Sequence, residues 1–115
     1  MEERRRLLRV DAPLSLTCRT LQPPPWEEET VSLDLSEGGL RFRTFIPLQA
    51  GFPLELEMVL PFDSLPMRAR ATVAWVRDRI VEGTVQFDVG VRFDEMSEAD
   101  RKRLVAYVHR HAPPR

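Results

Sequence analysis

Thr30-Val31-Ser32-Leu33-Asp34-Leu35-Ser36-Glu37-Gly38-Gly39-Leu40-Arg41-Phe42-Arg43-Thr44 reads as strand, turn, strand. Apolar and β-branched residues flank a centre of Asp, Ser and paired Gly, whose side chains bond turn backbones or leave the dihedrals free. The expectation is a strand from Thr30 to Asp34, a turn from Asp34 to Gly39, and a second strand from Leu40 to Thr44.

The same pattern runs through most of the chain. Short β-branched or alternating runs punctuated by Pro, Gly and Asp predict four more strands, at Val10 to Arg19, Pro53 to Leu60, Met67 to Arg77 and Thr84 to Phe93. Six short strands specify an all-β barrel or sandwich. In Leu54-Glu55-Leu56-Glu57-Met58 the strict alternation sends Leu54, Leu56 and Met58 to one face and both glutamates to the other. Pro23-Pro24-Pro25, followed by Trp26 and Glu27-Glu28-Glu29, lacks three backbone donors and reads as a stiff exposed connection.

The character changes at Met96. Ser97 reads as an N-cap, Asp100 as the carboxylate of a capping box and Met96 as a staple, opening a C-terminal helix over 97–111. Leu104, Val105 and Val108 form an apolar stripe that can close over a barrel opening or a sheet face. Pro113 and Pro114 end it.

Composition narrows the function. The 115 residues suit one domain, 1–115, and a formal charge of -1 argues against a general nucleic-acid binder, which needs a strongly basic surface. Cys18 is the only cysteine, which excludes an internal disulfide and a thiol-rich metal site and fits a reducing, cytoplasmic setting. The start of the chain lacks the apolar region of a signal peptide, and no run approaches the roughly 20 apolar residues of a membrane span.

Two clusters stand out: Arg4, Arg5, Arg6 and Arg9 in the first nine residues, and Asp34-x-Ser36-x-x-Gly39. Separately each has an ordinary reading, a solvated charged terminus for the first and a hydrogen-bonded turn for the second. Elsewhere Trp75 reads as packing in the core or at the barrel mouth, and Cys18 as a small buried residue. His109 and His111, two apart on a helix, diverge by about 200° and lack a third ligand. No nucleophile stands with a base, so catalysis is not expected and no cofactor is called for.

Taken together, the motifs resemble those of the PilZ domain, the bacterial receptor module for cyclic di-GMP. The similarity rests on Arg5-x-x-x-Arg9 followed by Val10, on Asp34-x-Ser36-x-x-Gly39 followed by Leu40 and Phe42, on Gly51 before an alternating strand, on Val73-x-Trp75, and on Gly90-Val91-x-Phe93 ahead of the helix. The resemblance implies a six-stranded antiparallel β-barrel with a C-terminal helix and a flexible Arg-rich arm over 1–9. It also implies cyclic di-GMP binding by Arg4, Arg5, Arg9, Asp34, Ser36 and Gly39, with Arg4 favouring an intercalated dimer of the ligand. A protein partner, unidentified, would receive the signal, in motility or biofilm regulation.

The chemistry of these residues suits that ligand. Arginine offers a planar donor fork for phosphate or for guanine O6 and N7, and stacks on bases. Arg5 and Arg9 in an extended segment stand about 13 Å apart on one side. Asp34 can accept from the guanine Watson-Crick edge, Ser36 can donate to a phosphate or orient Asp34, and Gly39 can allow close backbone approach or an unusual dihedral. Two other functions compete with this one: a PilZ-like adaptor for pilus or flagellar proteins that ignores nucleotides, and a small barrel binding RNA or single-stranded DNA.

Overall fold

The computed structural model describes residues 9–20 and 22–112. They form β1 (Arg9–Asp11), β2 (Ser15–Thr20), β3 (Trp26–Ser36), β4 (Gly39–Thr44), β5 (Pro53–Val59), β6 (Met67–Val81), β7 (Thr84–Met96) and α1 (Glu98–His111). All pairings are antiparallel, and β3 closes on β4. Because β1 and β2 run along one edge of β3, they are two pieces of a single barrel strand. The result is a closed six-stranded barrel.

The break in the first strand has a local cause. Pro13 donates no backbone hydrogen bond, and the register against β3 slips by one residue between Asp11, opposite Asp34, and Ser15, opposite Val31. Buried Ser32 spans the slip: its hydroxyl donates to the Ala12 carbonyl and accepts from the Leu14 amide at 3.0 Å.

The core is apolar and continuous. Leu14, Leu16, Leu35, Leu40, Phe42 and Met58 are essentially inaccessible, as are Val73 and Val89. Leu54, Leu56 and Met58 point inward as the alternation requires. Glu55 and Glu57 lie outside, paired with Arg19 at 3.6 Å and Arg68 at 3.7 Å. Cys18 is buried in the core, as expected of a small residue.

Several boundaries differ from expectation. β3 begins at Trp26, four residues before the strand expected from Thr30. Glu27 meets Arg19 of β2 at 3.2 Å, and Glu28 turns inward to the Thr44 hydroxyl at 2.5 Å, so cross-strand partners hold an acidic run in a ladder. β6 and β7 run past the barrel rim as a two-stranded arm. Its tip, Glu82-Gly83, has φ of 52° and 81°, the positive pair that closes a two-residue hairpin.

Helix α1 starts where the cap signal placed it. The Ser97 hydroxyl accepts from the Asp100 amide at 3.1 Å. The expected reciprocal half of the capping box is replaced, because the Asp100 carboxylate accepts from the Arg68 amide at 3.1 Å and from Arg103 at 3.4 Å, tying the first turn to β6. Leu104 and Val108 are buried, and the helix packs on β1 and β3. Val105, included in the expected stripe, is only partly covered. α1 is too short and polar to cross a membrane.

Candidate functional site

The expected turn from Asp34 to Gly39 is shorter than the sequence suggested. Asp34 and Ser36 lie within β3 and Gly39 begins β4, leaving Glu37 and Gly38 as the connection, with Ser36 opposite Gly39. The loop is clamped from several directions. The Phe93 amide donates to the Gly38 carbonyl at 2.8 Å, Arg101 of α1 reaches the Glu37 carbonyl at 3.4 Å, and His109 lies 3.1 Å from the Glu37 carboxylate.

A β-bulge places Asp34 outside the barrel. Along β3 the inward residues are Trp26, Glu28, Thr30 and Ser32, and Ser32 stands opposite buried Phe42. Strict alternation would also turn Asp34 inward. The register shifts between Ser32 and Asp34, so Leu33 is the extra residue, Asp34 faces out opposite Arg41, and Leu35 resumes the inward set opposite Leu40.

On the outer surface Asp34 is covered by cations. Arg9 Nη1 donates to Oδ1 at 2.5 Å and Arg41 Nε donates to Oδ2 at 3.0 Å, leaving the side chain only 10% exposed. Asp11 stands opposite Asp34 on β1, so the two guanidiniums also offset a neighbouring carboxylate. The expected arm over 1–9 thus ends in structure, with Arg9 already paired in β1, while Arg4 and Arg5 lie outside the described residues.

Ser36 and Gly39 have other tasks. The buried Ser36 hydroxyl accepts from the Gly38 amide at 3.2 Å and donates to the Gly39 carbonyl at 3.3 Å, so it braces the hairpin and does not contact Asp34. Gly39 does not adopt a positive φ, which corrects the expectation of an unusual dihedral. Close approach is the reason for the glycine: a Cβ there would stand 1.9 Å from the Val91 carbonyl oxygen.

A second bulge supplies a residue that the sequence reading assigned to packing. β6 turns Ala69, Ala71 and Val73 inward, and its register against β7 slips between Val73 and Trp75. Trp75 therefore faces outward, 39% exposed, with its indole lying over Gly90. Gly90 is also opposite Arg41, so Trp75, Gly90, Arg41 and Asp34 form one row across four strands. Arg77 sits 5.4 Å above the indole. The signal available in sequence was Val73-Ala74-Trp75-Val76, where strict alternation breaks down.

The row is an open platform on the barrel wall. A separate groove of about 620 Å3 is lined by β2, β5, β6, the end of β7 and the start of α1, and there Arg19 pairs with Glu55 and Arg68 with Glu57. His109 engages Glu37 and His111 engages the Tyr107 carbonyl at 2.9 Å. Among the described residues no three His, Cys, Asp or Glu side chains are grouped to hold a metal.

Comparison with known proteins agrees with this architecture. A family model described as the PilZ domain matches residues 3–110. No curated protein matches. Among solved structures, the inhibitor of motility MotI/DgrA from Bacillus subtilis superposes with a TM-score of 0.76 at 22% identity, covering 93% of this chain and 50% of that one. The PilZ domain of YcgR from Escherichia coli, solved with c-di-GMP, gives 0.71 at 22% identity, covering 94% and 91%. MrkH of K. pneumonia in its apo state gives 0.72 at 15% identity, covering 90% and 49%. The chain thus spans about half the length of MotI/DgrA and MrkH.

Proposed function

Because this chain belongs to the PilZ domain family, we propose that it is a cyclic di-GMP receptor that binds its ligand on the outer barrel wall and catalyses no reaction. The observation that carries this reading is the outward placement of Asp34 between Arg9 and Arg41, in one row with the exposed Trp75. A carboxylate accepts from the Watson-Crick edge of guanine, guanidiniums bind phosphate or the guanine O6/N7 edge, and an indole stacks on a base. The c-di-GMP complex of the YcgR PilZ domain supports the choice of ligand.

Arg4 and Arg5 complete the grip. Binding exchanges the Arg9 and Arg41 contacts of Asp34 for contacts to the ligand and draws the arm over the platform. The surface offered to a protein partner changes, and ligand and partner alter each other's affinity reciprocally. Arg4 favours two stacked ligands. The chain acts in the cytoplasm, in control of motility or biofilm formation.

Calorimetric titration with cyclic di-GMP at moderate salt tests this directly. Binding is expected, with Arg9→Ala and Asp34→Ala each weakening it at least about tenfold, equivalent to about 1.4 kcal/mol. Absence of heat with folded protein rejects the reading. Arg4→Ala should move the ratio of ligand to chain from two toward one.

A further inference from the structure

The cationic surface does not stop at Arg41. Arg43 lies two residues further along β4, about 7 Å away, and stands opposite Asp88 of β7. Asp88 is buried to the same degree as Asp34, with its side chain 10% exposed. Arg43 Nε donates to Oδ1 at 2.9 Å, while Arg79 Nη1 and Arg41 Nη1 stand 3.6 Å and 3.9 Å from Oδ2.

One carboxylate does not need three guanidiniums, since a single arginine fork satisfies it bidentately. The contacts here leave donors over. Arg43 uses only Nε on Asp88, and its two terminal nitrogens make no hydrogen bond among the described residues. Arg79 approaches Asp88 only through Nη1 at 3.6 Å, so its terminal nitrogens make no hydrogen bond among the described residues, and its buried Nε has no partner among them either. Arg77, although opposite Asp88 in register, lies instead over the Trp75 ring. Across the platform, among the described residues, Arg9, Arg41, Arg43, Arg77 and Arg79 stand with three carboxylates, Asp11, Asp34 and Asp88, a local excess of positive charge on a protein whose total is -1.

We infer that Arg43 and Arg79, braced by Asp88, form a second phosphoryl-binding subsite on the barrel wall beyond the Asp34 pair. The ion pairs hold both guanidiniums in place before binding, and the leftover N–H groups offer the planar donor geometry that fits phosphate oxygens. The adjoining indole gives a nucleotide base a surface to cover while its phosphate meets the arginines. The ligand class is a phosphodiester nucleotide, so this inference rests on the function proposed above. The phosphate comes either from the far end of one dinucleotide lying along the row or from a second dinucleotide.

Calorimetry with cyclic di-GMP tests the subsite on the full chain, on an Arg43→Gln/Arg79→Gln variant, and on an Arg43→Lys/Arg79→Lys variant that retains charge beside Asp88 without the fork. Thermal melting establishes that each is folded, and the Lys pair decides the matter if the Gln pair is not. If one dinucleotide spans the row, both variants keep the parent's ratio of ligand to chain with affinity at least tenfold weaker. If the subsite takes a second dinucleotide, the parent binds two and the variants one. Unchanged affinity and ratio in a folded variant overturns the subsite and leaves the proposed function standing. A parent that binds no cyclic di-GMP rejects both.

Discussion

Gly39 is pressed against the carbonyl of Val91 so closely that a Cβ would stand 1.9 Å from that oxygen. The obstruction is backbone of the neighbouring strand, so the third position of Asp34-x-Ser36-x-x-Gly39 serves barrel closure as well as any ligand. Gly39→Ala must push β4 away from β7, and overpacking of this kind costs about 1–3 kcal/mol. Urea denaturation should show the loss of stability whether or not cyclic di-GMP is present. A midpoint equal to the parent's would show that the strands separate freely.

Trp75→Ala should behave in the opposite way. The indole is 39% exposed and lies on the barrel's outer surface, so its removal leaves the core intact. Stacking of a base on an aromatic side chain is worth about 1–3 kcal/mol, which predicts ligand binding weaker by roughly tenfold or more. Intrinsic fluorescence offers a second measurement: in Trp26→Phe protein, cyclic di-GMP should change the emission of Trp75. An unchanged spectrum and an unchanged affinity for Trp75→Ala would remove the indole from the platform.

Ser32 bridges the slip between β1 and β2 through the Ala12 carbonyl and the Leu14 amide. Ser32→Ala removes both hydroxyl bonds while the Leu14 amide keeps its 2.9 Å bond to the Ala12 carbonyl, so the loss is that of two buried hydrogen bonds at about 1 kcal/mol each. Denaturation should report a destabilisation of about 2 kcal/mol. Because β1 carries Arg9, ligand affinity should fall as well, and the two effects should correlate in Ser32→Thr, which retains the hydroxyl.

Cys18 should resist thiol reagents in the folded protein. Burial, reinforced by nearby Glu28, raises its pKa to about 12. The unfolded thiol ionises near its ordinary value of 9.0, so between these limits the folded state holds a proton that the unfolded state releases. Stability therefore falls as pH rises through this window, and Cys18→Ala should flatten that alkaline limb. Labelling by a thiol reagent at neutral pH should track global unfolding; rapid labelling of native protein would contradict the buried position.

Much of the architecture was legible because strand signals are local. Alternation in Leu54-Glu55-Leu56-Glu57-Met58 assigns faces without help from distant residues, and Ser97 caps a helix through the amide three residues on. Trp26 to Glu29 was harder. An acidic run beside three prolines reads as a loop, and only Arg19 and Thr44, supplied by other strands, make it part of the sheet.

The candidate site divides along the same line. Sequence alone determined that a carboxylate, a hydroxyl and a glycine stand at a strand connection and that the chain resembles PilZ domains, because residue type and spacing carry that information. Only the tertiary structure decided which way the key side chains face. A strand's period of two means that one inserted residue inverts every position after it. The bulge at Leu33 turns Asp34 outward and the slip after Val73 does the same for Trp75, while pairing through β7 brings Arg41, Arg43 and Arg79 beside them. Those bulges arise where two strands fail to keep register, a property of the pair that neither segment states by itself.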